Sequence, residues 1–479
     1  MTPSGAAGRR PAHQVTTRNL GAAYPMVAEP GLGHRGVLIG NDLLGGSFVF
    51  DPFELYAQGI VSNPNMIVFG QIGRGKSSFV KTYLWRQAVF GRRAWVVDPK
   101  GEYGALAEAW GVRPIALRPG GNVRLNPLER GPEVDGRRQP GPATEGNGRA
   151  SEGPLDGPPG GLPAADYRQL DLLASLATAC LGRMLQPRER TAIDLALATV
   201  GRRRAEPTLP AVVDALLDPT SDVAATVRTD RMTLLEDGRD AALELRRLVH
   251  GDLRGMFDGP TTPGLDLDGP LVVLDLSALY NSAALGILMA CATAWLQAAL
   301  ARQAGEAGRN GHHGPNGPDG RNGPDGRRGV DRSAGPGGGS GSRVLVVVDE
   351  AWAVLADLGI ARWLQASWKL SRAYGVGNVA VLHRLSDLRS VGAAGSEQVG
   401  LATGLLSDSE TRVVYAQPAG EVAAASELLS LSPTEAELLP QLRRGVALWK
   451  VGQRAFLVQH LLSPMERRLV DTDAAMTAR

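Results

Sequence analysis

Residues 70–77 constrain the fold of this chain more than any other stretch. They read Gly-Gln-Ile-Gly-Arg-Gly-Lys-Ser and fit the pattern G-x-x-x-x-G-K-[ST] at every fixed position. The apolar run 66–69 before them is typical of a buried strand, and residues 78–90 after them have apolar side chains at helical spacing. A glycine loop between a strand and a helix directs backbone N–H groups and a helix N-terminus at one point, where they bind phosphate. The stretch therefore predicts a nucleotide site, since a glycine-rich turn with an unrelated lysine does not account for both flanks.

The pattern also assigns roles to side chains within the loop. Lys76 is expected to contact the β- and γ-phosphates, and the Ser77 hydroxyl to bind Mg²⁺. ATP and Mg²⁺ are therefore the expected ligands. The residues expected to contact the nucleotide are Gly70, Gln71, Ile72, Gly73, Arg74, Gly75, Lys76, Ser77 and Ser78.

Composition places the chain among globular proteins with two or three domains. Hydrophobic residues make up 43% and charged residues 21%, and the net charge of +2 gives no reason to expect a polyanionic partner. Cys180 and Cys291 both lie in apolar helical surroundings, so buried free thiols in a reducing cytoplasm are expected. No apolar stretch follows Arg9 and Arg10, which predicts that no signal peptide is present. The uncharged stretch 276–301 is long enough to cross a bilayer, but it opens with a polar turn and predicts a buried helix.

Apolar runs that alternate with helical patterns predict an α/β fold with a mostly parallel sheet. The last two predicted strands pair across Gly452-Gln453 as a closing β-hairpin. The predicted strands are 37–40, 47–51, 66–69, 93–98, 113–117, 271–275, 343–348, 378–383, 412–415, 445–451 and 455–461.

Three stretches are predicted to lie outside the packed α/β domain. Residues 1–35 are small, polar and irregular, and residues 131–163 and 305–341 are rich in glycine and either proline or asparagine, so none can bury enough apolar surface to order itself. Between the two internal ones, residues 164–263 have helical periodicity and predict an inserted all-α subdomain. This leaves 36–130 and 264–479 as the nucleotide-binding domain.

A second motif ends the run of valines at 344–348. Asp349 is expected to bind Mg²⁺ through water, and Glu350 to polarise the water that attacks the γ-phosphate. This is the pattern of a Walker B strand. An additional strand at 93–98, between the two motifs, is typical of the RecA-like branch of P-loop NTPases. Glu102 after it is either an outer partner of the Mg²⁺ site or a residue favoured at a helix start.

Several motifs together resemble the HerA/FtsK superfamily, and within it the TraC-like, VirB-type ATPases of conjugation and type IV secretion. The resemblance implies a RecA-like motor that assembles as a hexamer, hydrolyses ATP at subunit interfaces and moves DNA or protein. It also implies a membrane channel or coupling complex as partner, and a cytoplasmic location or one at the inner face of the cell membrane. The motifs are the phosphate loop, Asp98-Pro99-Lys100-Gly101-Glu102-Tyr103, Asn126-Pro127, Asp349-Glu350-Ala351-Trp352 and Ser371-Arg372-Ala373-Tyr374-Gly375.

The resemblance identifies further site residues and two departures from the family. His383 stands where the family has a glutamine that senses the γ-phosphate, and an imidazole can donate the same hydrogen bond. Arg412 is the candidate for the arginine supplied to the neighbouring subunit, with Arg384 as the alternative and a plain surface arginine as a third reading. The family often carries an N-terminal docking domain, and the position of Gly70 predicts that it is missing here.

Two other functions remain open at this stage. One is a regulatory switch whose nucleotide state sets partner binding without continuous movement, and the other is a HerA-like motor that processes DNA. Glu350 favours hydrolysis over the switch, because a switch can dispense with a catalytic carboxylate.

Overall fold

The fold was determined as a computed structural model, which describes residues 31–129, 164–203, 206–251, 253–280, 282, 284–310, 343–355, 357–371, 375–383, 400 and 404–470. Eleven strands in this part of the chain form one sheet. In chain order they are β1 Val37–Asp42, β2 Gly46–Phe50, β3 Met66–Phe69, β4 Arg93–Asp98, β5 Ile115–Ala116, β6 Leu271–Asp275, β7 Val344–Val348, β8 Val376–Leu382, β9 Thr411–Val414, β10 Val446–Val451 and β11 Arg454–His460.

Helices flank this sheet on both faces. The described α-helices are α1 Pro52–Ala57, α2 Lys76–Gln87, α3 Gly104–Ala109, α4 Ala164–Leu181, α5 Pro187–Arg203, α6 Leu209–Leu217, α7 Ser221–Thr226, α8 Arg231–Val249, α9 Leu285–Asn310, α10 Trp352–Leu355, α11 Leu358–Ser371, α12 Val422–Leu429, α13 Pro433–Leu438 and α14 Pro464–Val470.

The sheet has a parallel part and an antiparallel part. The strand order is β2-β1-β11-β10-β9-β3-β8-β7-β4-β6-β5, and every neighbouring pair from β9 to β5 is parallel. The pairs from β2 to β9 are antiparallel, with β10 and β11 forming the closing hairpin. The predicted α/β fold with a mostly parallel sheet and a C-terminal hairpin is therefore confirmed.

Both faces of the parallel strands are buried, as their continuous apolar runs predict. Because side chains alternate along a strand, Ile67 and Phe69 belong to one hydrophobic core and Met66 and Val68 to the other. The first core also contains the buried faces of α4 to α8, which pack as an all-helical unit. These five helices occupy most of the predicted helical insertion, whose exact bounds stay a prediction.

Helix α9 is the one described helix with the length and hydropathy of a membrane span. Its qualifying stretch is 285–303, and 72% of the apolar window is buried inside the fold. Cys291, Trp295 and Leu296 on this helix have no appreciable exposure. The predicted role as a core helix fits this burial.

The structure corrects three local predictions. The helical spacing of Trp352, Leu355, Trp363, Trp368 and Leu370 predicts one helix after Glu350 that ends near Gly375. The structure has two helices there, because Asp357 accepts the Ile360 N–H at 3.0 Å and begins α11 anew. Strand β8 begins at Val376, where it pairs with Val344, and ends before His383. Cys180 is partly exposed rather than buried.

Some predicted segments fall partly or wholly outside the described residues. Residues 1–30, 130–163, 311–342 and 384–399 are among them, and Arg384 is in the last range. Helix α9 continues to Asn310 and so includes the first six residues of the stretch 305–341 that was predicted as a loop.

Candidate functional site

The phosphate loop lies between β3 and α2, at the carboxyl edge of the parallel strands. Gly75 precedes the first helical residue with φ +111, a left-handed conformation that glycine adopts without steric cost. At Gly70 a Cβ atom would collide with the Tyr415 side chain, so this position also requires glycine. The loop is fixed from outside, since Gln71 N–H donates to Ala416 O at 3.2 Å and Gly445 N–H donates to Arg74 O at 3.0 Å.

Lys76 is buried inside this loop. Its ammonium donates to the carbonyl oxygens of Gly70 and of Gln71, the latter at 3.0 Å. Burial lowers the pKa of Lys76 to about 8, against the opposing effect of the Glu350 and Asp349 charges. The lysine is therefore confined in a place where its positive charge is disfavoured. A polyphosphate, which brings several negative charges, would stabilise that charge.

Asp349 and Glu350 are brought to the same edge by the sheet register. Phe69 is level with Leu382 on β8, and Val348 is level with Ala380, so residue 350 is level with the end of β3. One strand separates β3 from β7, which sets them about 10 Å apart. The two predicted motifs, remote in the sequence, thus lie side by side.

Glu350 has a strained backbone and a carboxylate with three partners. Its φ is +53, a conformation that non-glycine residues adopt rarely and mainly at functional sites. Its Oε1 lies 2.6 Å from His383 Nε2 and pairs with the Lys100 ammonium, while Oε2 accepts the Trp352 indole N–H. Although burial alone raises the pKa of this carboxyl, the hydrogen bonds from His383 and Lys100 lower it to about 2. Glu350 is therefore held as a carboxylate.

Asp349 has the chemistry of a ligand for a hard divalent cation. Its Oδ1 accepts the Glu350 N–H at 2.9 Å and its Oδ2 accepts the Tyr103 hydroxyl at 3.2 Å. Burial and the neighbouring carboxylates Glu350 and Asp98 raise its pKa to about 6. A cation would relieve this crowding of negative charge, so the residues present fit Mg²⁺, which is bound in such sites by few protein groups together with substrate phosphates.

In the described part of the chain, no three His, Cys, Asp or Glu side chains converge as a metal site. Ser77, the other predicted Mg²⁺ ligand, is half-buried in the first turn of α2. Ser77 thus borders the phosphate loop, and Asp349 follows β7. Among the described residues, these two predicted Mg²⁺ ligands do not form a cage made only of protein atoms.

The loop after β4 supplies Lys100 and Tyr103, to which the sequence alone assigned no role. Asp98 orders it by accepting the N–H groups of Lys100, Gly101 and Tyr103 at 3.1, 2.9 and 3.0 Å. This arrangement delivers Lys100 to Glu350 and Tyr103 to Asp349. Their signal in the sequence was the motif 98–103 itself, which follows a strand that neighbours β7.

Glu102 pairs with a buried lysine. Its carboxylate lies 3.5 Å from the Lys81 ammonium, which also stands 5.4 Å from the centre of the Tyr103 ring. The Glu102 charge also adds to the negative charge around Asp349, so of its two predicted roles the contacts favour the outer partner of the site.

His383 lies at the rim of the phosphate loop. It lines an open cavity of about 450 Å³ together with Gln71, Ile72, Gly73, Arg74 and Arg444. Its Nδ1 is buried without a hydrogen-bond partner among the described residues, so Nε2 is the nitrogen that faces Glu350. The sensor role of His383 stays a prediction, and its position beside the cavity is compatible with it.

Arg412 lies further from the carboxyl edge of the parallel strands than the other predicted site residues. It is level with Ile67, and its Nε donates to the carbonyl oxygens of Leu406 and Ser409 at 3.2 and 3.1 Å. These bonds satisfy the end of the short helical segment 404–407. The role of Arg412 in a neighbouring subunit stays a prediction.

The fold and the loop together are those of P-loop NTPases of the RecA-like kind. Neither the protein-family models nor the curated protein sequences gave a match to this chain. Among solved structures, the chain is similar to VirB4 of Thermoanaerobacter pseudethanolicus, with 19% identity and a TM-score of 0.61 over 92% of this chain and 100% of that one. The predicted resemblance to conjugation and secretion ATPases is thereby confirmed at the level of the fold.

Two further solved structures are more distant. The plasmid coupling protein TrwB in complex with ADP and Mg²⁺ aligns with 14% identity and a TM-score of 0.49, over 90% of this chain and 91% of that one. The genome packaging NTPase B204 of Sulfolobus turreted icosahedral virus 2, in complex with AMP, aligns with 10% identity and a TM-score of 0.32, over 83% of this chain and 98% of that one.

Proposed function

We propose that this chain hydrolyses ATP and uses the energy to move DNA or protein, as a motor of the conjugation or type IV secretion kind. The observation that carries the proposal is Glu350, a buried carboxylate with φ +53 that stands level with the phosphate loop. A protein that only binds nucleotide has no need of a strained carboxylate there. The motifs that resemble the HerA/FtsK superfamily and the VirB4-type fold support the motor part.

The chain's own residues divide the reaction between them. The loop backbone and Lys76 bind the phosphates and balance their charge. Ser77 and Asp349 would hold Mg²⁺, which when bound neutralises charge on the β- and γ-phosphate oxygens. Glu350 orients a water molecule and accepts its proton as the water oxygen bonds to the γ-phosphorus and the bond to ADP breaks.

Hydrolysis is tested by Glu350→Gln, which keeps the size of the side chain and removes the base. We expect ATP binding to persist while the turnover rate falls by about 100-fold or more. Glu236→Gln is the matched control, because it makes the same change on an exposed helix face of α8. Normal turnover in Glu350→Gln would show that another group positions the water, and nucleotide binding by Lys76→Ala at wild-type affinity would remove the site assignment.

Coupling to movement is tested by the response to macromolecules. The ATPase rate is measured with and without single-stranded DNA, double-stranded DNA and membrane extracts, and the mass in solution is measured with ATP. A hexamer whose ATPase rate rises on addition of DNA supports the proposed motor function. The proposed location of this motor is the cytoplasm or the inner face of the cell membrane. A monomer with constant, slow turnover assigns the chain to the regulatory switches instead.

A further inference from the structure

Three partners shield the Glu350 carboxylate from water in the arrangement that the structure shows. Oε1 contacts both the Lys100 ammonium and His383 Nε2, and Oε2 accepts the Trp352 indole N–H. The Glu350 side chain is only 2% exposed. One of these three partners therefore has to leave before a water molecule can take its place.

Lys100 is the partner best able to leave. Its side chain is 24% exposed, against 20% for His383, and it reaches Glu350 from the loop after β4 on a flexible stem rather than a rigid ring. Its ammonium is 3.4 Å from His383 Nε2, and His383 lines the cavity beside the phosphate loop. A short movement of the flexible lysine stem thus carries the charge from Glu350 toward the place where phosphates bind.

The small number of lysines among the basic residues of this chain supports a mobile charge at position 100. The sequence has 51 lysine and arginine residues, of which five are lysines at positions 76, 81, 100, 369 and 450. Three of the five surround the phosphate loop and Asp349. An ammonium is a compact charge on a flexible stem, whereas the planar arginine fork binds a carboxylate through two fixed bonds. Lysine is therefore suited to exchange between two neighbouring anions.

We propose that Lys100 is a second phosphate-binding lysine, which exchanges its bond to Glu350 for one to the γ-phosphate. ATP then frees Glu350 for water, and ADP, which has no γ-phosphate, leaves it bound to Lys100. This inference rests on the proposed ATPase function. On this account Lys100 both favours ATP over ADP and determines whether Glu350 is free to act as the base.

The experiment compares binding of ADP and of a non-hydrolysable ATP analogue, each with Mg²⁺, by calorimetry. Lys100→Met is expected to weaken analogue binding by roughly tenfold, the scale of one charge-assisted hydrogen bond, and to leave ADP binding within about twofold of wild type. Glu350→Gln is expected to tighten analogue binding severalfold, because Lys100 is no longer attracted by a charged carboxylate. In the double variant this gain is expected to disappear.

Two results would overturn the inference. One is unchanged analogue binding in Lys100→Met, and the other is a Glu350→Gln gain that persists in the double variant. Lys100→Arg keeps the charge and should retain part of the preference for the analogue, while Lys369→Met, at a remote exposed position, should change neither affinity. If the wild-type chain binds neither nucleotide, the proposed function itself fails, which is a separate outcome.

Discussion

The Arg86–Glu466 pair connects the helix of the phosphate loop to the C-terminal segment, and its removal should loosen that connection. Arg86 on α2 donates from Nε and Nη2 to the two carboxylate oxygens of Glu466 on α14, at 2.6 and 2.8 Å. The Glu466 side chain is 7% exposed and that of Arg86 19%. Such a two-point pair is stronger than an ordinary surface ion pair.

The size of the effect follows from the Glu466 carboxyl. Burial alone raises its pKa, but the Arg86 and Ser463 hydrogen bonds lower it from 4.5 to about 2. Each pKa unit corresponds to about 1.4 kcal/mol, which gives at most about 3 kcal/mol, and solvent screening at the molecular edge reduces this to about 2 kcal/mol. This stabilisation is fully present above pH 4.5 and is lost as the pH falls toward 2.

Glu466→Gln removes the charge and keeps the shape, so at pH 7 it should make local opening of 464–470 about 30-fold more frequent. Hydrogen exchange of the peptides covering α14 and β11, followed by mass spectrometry, measures this opening without assuming that the whole chain unfolds in one step. Glu437→Gln, an exposed glutamate on α13, is the matched control.

Arg86→Met should cost more than Glu466→Gln, because Arg86 also donates to the carbonyl oxygens of Leu38, Ile39 and Leu461. Equal protection of 464–470 in wild type and Glu466→Gln would refute the reasoning, as would a larger loss from Glu466→Gln than from Arg86→Met.

Three further predictions concern other side chains, His460, Tyr103 and Arg412. Burial lowers the pKa of His460 to about 4, so below about pH 6.5 the unfolded chain binds a proton that the folded chain does not. The free energy of unfolding should therefore fall by up to about 3 kcal/mol between pH 6.5 and 4, and urea titrations should show a flatter profile for His460→Gln. Tyr103→Phe removes the hydroxyl that orients Asp349 and should raise the Mg²⁺ concentration for half-maximal nucleotide binding by about tenfold, measured by fluorescence titration. If Arg412 acts in trans, mixing Arg412→Ala with Lys76→Ala subunits should restore part of the ATPase activity, while a lower melting temperature without restoration leaves it only the helix-end role.

Strands were the part of the fold that the sequence predicted best. Met66–Phe69, Arg93–Asp98 and Leu271–Asp275 match their predictions residue for residue, because strands buried on both faces are unbroken apolar runs with polar ends. Helices were predicted less well where they are short. The six-residue helix Ser221–Thr226 has too few turns to show a period, and its start depends on the Thr220 hydroxyl, which accepts the Val223 N–H.

One missed feature had a usable signal. From the sequence alone, Ser432-Pro433-Thr434-Glu435 predicts a capping box with proline at the first helical position, and the structure confirms it. The same pattern recurs at residues 463–466, where the Ser463 N–H donates to Glu466 and the Glu466 N–H donates to Ser463. It begins α14 and could have been predicted by the same rule.

The candidate site, like the fold, could be predicted from the sequence only in part. The phosphate loop and the Asp349-Glu350 pair are local patterns with a fixed meaning, so the sequence alone predicted them. The contact between Tyr103 and Asp349 joins residues 246 apart, and two of the three partners of Glu350 follow different strands, Lys100 after β4 and His383 after β8. Which side chains meet at the sheet edge depends on strand order, which local patterns do not determine.

The order β2-β1-β11-β10 has a consequence for how the chain is made. The hairpin of Val37–Asp42 and Gly46–Phe50 adjoins the rest of the sheet only through Arg454–His460. Ribosomes add about 5–20 residues per second, so roughly 400 further residues delay that partner by about 20–80 s. During this interval the exposed hairpin edge is a site for chaperone capture or mispairing between nascent chains.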